Sequence, residues 1–265
     1  MSFQPVVPLG GYTGWTFLQR TLPAQQDAFA KSAPVARATE AFRERIGSVQ
    51  TAADLVADRQ LLAVALGAFG LDEDINNRFF IETILAQGTK DSDALANRLA
   101  DKRYAEFSAA FGFGDRDVPR TALRSFPDEI VARYESQQFA RAVGAQNNDM
   151  RLALNISDGL TQVLSKTSTN NGRWFAIMGN PPLRQVFEKA LGLPADIISV
   201  DLDQQRAIFQ ERAQRVFGTD DVASLAEPDR QDDIRRLFLV RSEAAAFGGF
   251  SSGQMALTLL QAARR

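Results

Sequence analysis

The chain has 265 residues, of which 45% are hydrophobic and 23% charged, and this length allows one large domain or two small ones with a buried core. Its formal net charge of −2 lacks the basic excess that is typical of proteins that bind nucleic acid. It contains no cysteine and no histidine, which excludes disulfides, thiol chemistry, histidine-dependent triads and zinc sites of the usual ligand types. We therefore predict no cofactor, no metal site and no catalytic residue.

The N-terminal residues 1–16 are rich in glycine, proline and aromatic residues, which predicts an irregular arm. The first 20 residues lack the basic start and apolar core of a secretory signal. No stretch approaches the roughly 18 consecutive apolar residues of a membrane span. We therefore expect no membrane span and, by default, a cytoplasmic location. Trp15 and Phe17 are candidates for anchoring the arm or binding a partner.

Helical periodicity dominates the first half of the chain. A helix over 24–46 is predicted by apolar residues at spacings of three and four, and the clearest helix begins at Asp58. Gly70 followed by Leu71 is typical of a Schellman helix end, which predicts that this helix stops there. Further helices are predicted over 75–87, 92–99 and 102–111.

The second half of the chain is also predicted to be helical. After a break at Pro119 and Ser125-Phe126-Pro127, a long helix is expected over 128–166, bent near Asn147-Asn148. More helices are predicted over 173–178, 181–191, 203–217 and 228–245. A glycine- and serine-rich joint then precedes a last helix over 254–263, which carries Met255, Leu259 and Leu260 as candidate partner-binding residues. This helix could dock on its own domain or on another subunit, so an oligomer formed through terminal helices stays open.

The two halves share a pattern that indicates an internal duplication. A shift of 122 positions places Asp58 on Asn180, both good N-caps, and Gly70-Leu71 on Gly192-Leu193. The apolar residues between these ends match in the same register. Further along, the offset becomes 130 and then 127, where the Arg103 to Phe111 pattern resembles Arg230 to Phe238. Loop insertions explain such changes of offset.

The predicted fold is therefore mainly α-helical, with two related multi-helix units joined by a long helix. We expect an N-terminal arm plus a first unit over 1–118, a long joining helix over 119–170, and a second unit plus a C-terminal helix over 171–265. The units could also pack as one globule.

Acidic runs and aromatic pairs are the remaining candidate sites. Asp72, Glu73 and Asp74 could bind a cation, but the spacing of an EF-hand is missing, and helix capping explains them better. Asp91 with Asp93, and the later aspartate pairs, are interpreted in the same way. Trp174 with Phe175 is interpreted as a core anchor in preference to a ligand cage.

The segments DLVADRQLLAVALGAFGLDEDINNRFFIETILAQG (54–88), LADKRYAEFSAAFGF (99–113), MRLALNI (150–156) and LRQVFEKALGLP (183–194) resemble the bacterial domain-of-unknown-function family 1217. Members of this family are typical of alphaproteobacteria and are often encoded among flagellar genes. The resemblance implies a role in flagellar assembly or structure. It supplies no active-site residue to carry over.

Three hypotheses for function follow. The first is a non-enzymatic flagellum-associated protein, an assembly factor or minor structural component that contacts flagellar or other proteins and that could be exported through the flagellar apparatus. The second is an enzyme that uses carboxylate, lysine or arginine groups in a cleft between the helical units. The third is a small-ligand-binding regulatory module.

Overall fold

A computed structural model describes residues 3–248 of the chain. Within this range the chain forms helices and no strand, so the predicted mainly α-helical fold is confirmed. The α-helices are α1 Gly11–Ala30, α2 Ala33–Arg45, α3 Ala52–Ala57, α4 Arg59–Gly67, α5 Arg78–Gln87, α6 Leu95–Arg98, α7 Arg103–Phe111, α8 Phe126–Gly144, α9 Asn148–Leu154, α10 Ile156–Lys166, α11 Asn170–Met178, α12 Pro181–Leu191, α13 Leu202–Phe217, α14 Val222–Leu225 and α15 Pro228–Gly248. Among these helices, none is both long and apolar enough to cross a membrane.

The described residues form two compact units. Unit 1 comprises 3–6 and 18–146, and unit 2 comprises 7–17 and 147–248. The boundary therefore lies at 146/147, whereas we expected a first unit ending at 118 and a separate joining segment over 119–170. The predicted last helix, with Met255, Leu259 and Leu260, lies outside the described residues.

Three helices, α8, α9 and α10, replace the single long helix predicted over 128–166. The break lies where a bend was expected. Asn147 is extended there, with φ −151° and ψ 107°, and its side chain accepts a hydrogen bond from the Met150 amide at 3.1 Å. This N-cap starts a new helix, α9, and with it unit 2. The apolar periodicity continues through the break, which is why the pattern did not reveal it.

Aromatic side chains fill the core of unit 1. Phe107 meets Phe69 and Phe111 edge to face, with ring centroids 5.3 and 5.1 Å apart. Phe111 in turn meets Phe126 of α8 at 5.1 Å. These contacts make α8 part of the core of unit 1, because Phe126, like the other rings, is almost fully buried.

Trp174 lies at the centre of unit 2. Its side chain is fully buried, and its ring lies 5.6 Å from that of Phe187 and 6.0 Å from that of Phe209. Its indole N–H donates to the carbonyl oxygen of Asp220 at 2.8 Å, which satisfies the one polar group of the ring. Trp174 is therefore a core anchor, as we expected.

Matched hydrogen bonds close the ends of α4 and α12. The Leu71 amide donates to the carbonyl of Leu66 at 3.0 Å, and the Leu193 amide donates to the carbonyl of Glu188 at 2.8 Å. In each case the residue that donates the amide comes directly after a glycine with positive φ, 67° at Gly70 and 65° at Gly192. The two Schellman ends therefore agree bond for bond in the register of 122 residues. This agreement supports the duplication, which stays a prediction.

The packing of α15 does not agree with the third sequence match of the duplication, the one at an offset of 127 residues. We aligned Arg230 to Phe238 with Arg103 to Phe111 of α7, but α7 packs on α5 and α6, whereas α15 packs on α12. In unit 1, α8 packs on α4, as α2 and α3 also do. Arg133 of α8 donates to the carbonyl of Ala68 at 2.9 Å, and Arg241 of α15 donates to the matched carbonyl of Ala190 at 2.6 Å. By packing, α15 therefore corresponds to α8.

Candidate partner-binding surface

The predicted arm over 1–16 is divided between the two units: residues 3–6 belong to unit 1, whereas residues 7–17, which we call the arm from here on, belong to unit 2. Helix α1 begins within the arm at Gly11, so the arm is helical from that residue onward, whereas we expected it to be irregular throughout. The Gly14 amide donates to the carbonyl of Gly10 at 3.1 Å and supports this first turn. Two glycines make a poor helix start by propensity alone, so tertiary packing must stabilise it.

The two glycines allow the arm to approach its neighbours closely. Gly11 has φ 62°, and a Cβ there would overlap the carboxylate of Glu243 in α15. A Cβ at Gly14 would overlap the carbonyl oxygen of Leu9 and would lie 3.0 Å from the terminal methyl carbon of Met150 in α9. The arm is therefore seated against α9 and α15 at distances that only glycine permits.

Trp15 anchors the arm in this seat. Its side chain is only 5% exposed, and its ring centroid lies 5.5 Å from the guanidinium carbon of Arg235 in α15. This cation–π contact stabilises the charge of Arg235, a residue that is itself only 8% exposed. One of the two aromatic candidates of the arm is thus a buried anchor.

The Arg235 guanidinium is also surrounded by acceptors. It donates to Asp232 Oδ1 at 2.7 Å, to Gln231 Oε1 at 3.0 Å, to the carbonyl of Ala153 at 3.3 Å and to Ser157 Oγ. Burial lowers the pKa of Arg235, and the hydrogen bond and charge of Asp232 oppose that effect. A guanidinium stays protonated in either case, so this site is a charged, hydrogen-bonded support for the arm.

Apolar side chains of the arm remain on the surface. Leu9 is 55% exposed, and Tyr12 and Phe17 are each 38% exposed. The last turns of α15 expose Val240 and Ala244, which flank in sequence the Glu243 that meets Gly11. We call these exposed apolar residues of the arm and of the end of α15, two elements that meet at Gly11 and Glu243, the arm surface; it comprises Leu9, Tyr12, Val240 and Ala244.

Two further exposed apolar sites went unpredicted. Phe79, at the start of α5, is 84% exposed, while its neighbour Phe80 packs edge to face on Tyr104 at 5.3 Å. Ile198 in the 3₁₀ turn Ala195–Ser199 and Leu202 at the start of α13 are also exposed. Each site lies in or just after the 3₁₀ turn that comes after the glycine-terminated helix of its unit. The helical periodicity of the sequence does not predict these exposed sites. When two apolar residues are adjacent, the pattern does not reveal which of them faces the core.

The first acidic run holds helices together. Asp72 accepts from Gln138 Nε2 at 2.7 Å and pairs with Arg141 at 2.6 Å, both on α8. Asp74 accepts from the Tyr104 hydroxyl at 2.7 Å. We expected these carboxylates to cap the next helix and to place favourable charge at its start. They do lie in the first turn of the 3₁₀ helix Asp72–Asn76. The N-cap of α5 is Asn77, however, and Asp72 and Asp74 bind side chains of neighbouring helices.

The other aspartates of the acidic runs bind groups that are close to them in the chain. Asp221 caps α14 by accepting from the amides of Ala223 and Ser224, as we expected. Asp232 and Asp233 form ion pairs with Arg235 and Arg236 within α15. In the described part of the chain, no group of three or more acidic residues is arranged to hold a metal ion.

Tyr104 is the most perturbed titratable group of this region. Burial and the hydrogen bond to Asp74 raise the pKa of Tyr104 to about 12. A phenol with such a pKa remains protonated near neutral pH and acts as a hydrogen-bond donor, so it is a poor general base there. The arrangement is suited to joining α7 to the turn that carries Asp74.

An open depression of about 740 Å³ lies on unit 1, beside the start of α4. Arg45 donates to Asp58 at 2.6 Å and to Gln60 at 2.7 Å. The Asp54 carboxylate accepts from the amides of Gln50 and Thr51. The Arg45, Asp54 and Asp58 side chains are therefore already bonded within the protein.

Comparisons with known proteins agree with the fold. An Agrobacterium tumefaciens protein known from an X-ray crystal structure superposes with a TM-score of 0.74 at 25% sequence identity, over 91% of this chain and 98% of that one. No curated protein matches the chain significantly. The family model described as protein of unknown function (DUF1217) matches residues 68–230, which is more than half of the chain. The chain therefore belongs to the DUF1217 family.

Proposed function

We propose that this protein is a non-enzymatic, flagellum-associated assembly factor or minor structural component that acts through protein–protein contacts. The observation that carries the proposal is the arm: Trp15 and two glycines hold it on unit 2, while Leu9, Tyr12 and Phe17 stay exposed. An anchored apolar surface loses little conformational entropy when a partner binds. The flagellar part of the proposal rests on the gene context that the family resemblance implies.

The preferred partner is a protein with an apolar, helix-shaped or extended face. The arm surface contains one aromatic and three aliphatic side chains, and aromatic residues contribute strongly at the centres of interfaces. Glu243 is the one acidic side chain among residues 3–17 and 240–246, and Arg241 and Arg20 are the nearest basic residues in sequence. Apolar burial, more than charge, would therefore drive association.

The alternative functions have less support from the described residues. Carboxylates of the acidic runs take part in ion pairs, caps and interhelical hydrogen bonds. Charged groups around the depression on unit 1 are paired in the same way. An enzyme or a ligand-binding module needs several polar side chains that point into one site and are free to act on a ligand. These carboxylates and the charged groups around the depression are instead bonded to neighbouring residues.

A location experiment tests the proposal. We expect the tagged full-length protein, in a bacterium that encodes it, to co-purify with flagellar basal bodies or with the exported fraction, and we expect its deletion to reduce swimming. The cytoplasm remains the default location for the unassembled pool. Normal motility together with a purely cytosolic protein would contradict the flagellar proposal.

A surface variant tests the role of the arm. Leu9→Ser with Tyr12→Ser should weaken capture of the partner and reduce swimming, because both side chains are exposed and their loss removes apolar area from the interface. The matched control is Val118→Ser with Leu123→Ser, two exposed apolar residues of unit 1. Equal effects of both double variants would mean that the arm is not the binding surface.

A further inference from the structure

The end of α15 lies against the arm. The Glu243 carboxylate occupies the space in which a Cβ of Gly11 would sit, so this turn of α15 contacts the start of α1. Helix α15 ends five residues later at Gly248, about 7.5 Å further at a rise of ~1.5 Å per residue. The chain therefore leaves the described residues close to the arm surface.

The sequence that follows has an apolar side. Residues 249–253 contain two glycines and two serines, and then Met255, Leu259 and Leu260 recur at a helical spacing. Arg264 and Arg265 are the charged side chains of 249–265. Five extended residues span at most ~17 Å, which is enough for residues 254–263 to reach Leu9 and Tyr12 from the end of α15.

We propose that residues 254–263 of this same chain dock on the arm surface, with Met255, Leu259 and Leu260 covering Leu9, Tyr12, Val240 and Ala244. The described chain ends five residues after Glu243, the α15 residue that lies against Gly11 of the arm. Burial of apolar area on both sides stabilises the docked arrangement.

The short connection favours the chain's own segment over that of a second copy. A link of about five residues gives a tethered segment an effective concentration in the millimolar range, far above that of a second molecule at ordinary protein concentrations. The docking is a property of the chain alone. Its consequence, competition between the segment and a partner for the arm surface, rests on the proposed function.

Cysteine pairs test the docking, because the natural chain contains no cysteine that could interfere. The full-length chain with Tyr12→Cys and Leu259→Cys should form a disulfide within one molecule under mild oxidation, seen as a mobility shift on non-reducing electrophoresis. The matched control pairs Leu259→Cys with Leu202→Cys, an exposed apolar site on another element of unit 2. We expect about tenfold more intramolecular disulfide in the first pair than in the control.

Two outcomes would overturn the proposal. Disulfide-linked dimers in place of monomers would assign the arm surface to the segment of a second copy. A yield no higher than that of the control pair would mean that the segment does not dock there. Since no partner protein takes part in this measurement, its failure would leave the flagellar proposal standing, and a motility result would not decide the docking.

Discussion

At the scale of residues, Arg235 and Trp15 illustrate how a buried charge is stabilised in unit 2. The guanidinium donates to four oxygen acceptors and lies 5.5 Å from an aromatic ring centroid. Removing one side of such an arrangement leaves buried groups unpaired, which costs more than the contact contributes when intact. The sequence identified Trp15 as a candidate but contained no signal for Arg235, because its partner lies 220 positions away in the chain.

Tyr104 leads to a prediction on pH dependence. Its folded-state pKa of about 12 lies above the ordinary value of 10.0, so folding favours the protonated phenol. The contribution of Tyr104 to the free energy of unfolding should be complete below pH 10 and should be lost as the pH rises from 10 towards 12. Urea unfolding of the natural protein and of Tyr104→Phe across this range measures it as the difference between the two proteins.

That difference cancels the titration of groups that both proteins share. A difference that stayed constant from about pH 9 to about pH 12, a range that spans the ordinary phenol pKa, would mean that folding does not raise the pKa of Tyr104.

Phe80 and Phe79 mark the limit of prediction at this scale. Both are apolar neighbours, and only packing against Tyr104 decides that Phe80 turns inward.

At the scale of elements, local chemistry determined the helix ends well. Asp58 and Asn180 cap α4 and α12 through side-chain oxygens, and a glycine with positive φ follows each helix. These are short-range interactions, so the residues themselves reveal them. The break between α8 and α9 was only located as a bend, because an asparagine cap within an unbroken apolar pattern is a weaker signal.

The glycine ends carry a second prediction. Gly70→Ala and Gly192→Ala should each lower the free energy of unfolding by about 1–2 kcal/mol, since an L-residue is strained at their positive φ. Chemical denaturation followed by circular dichroism measures the loss. Gly47→Ala is the matched control, because nothing lies within 4 Å of its Cβ position and its φ is not positive. Equal stability of all three variants would contradict the assigned helix ends.

At the scale of the whole molecule, α8 decides where unit 1 ends. It contributes Phe126, Ile130 and Val131 to the core of that unit, each 4% exposed or less. A fragment that stops at 118 loses all three side chains. Each costs about 2–5 kcal/mol when removed from a core, and the whole stability of a domain is about 5–15 kcal/mol.

Fragments test this boundary. We expect residues 18–146 to unfold cooperatively with a helical circular dichroism spectrum, and residues 18–118 to lose that cooperativity. The longer fragment serves as the control for the shorter one. A cooperative transition of similar midpoint in 18–118 would show that the boundary predicted from the sequence, and not the one at 146/147, separates independent folding units.

The sequence by itself determined the mainly α-helical class, most helix starts and stops and the family, because helical periodicity, caps and glycine ends depend on residues a few positions apart. Tertiary structure alone decided that the arm belongs to unit 2, that α8 completes unit 1 and that Trp15 is buried while Leu9 and Tyr12 stay exposed. These outcomes depend on contacts between distant parts of the chain. An apolar pattern specifies that a face is buried and leaves open which element buries it.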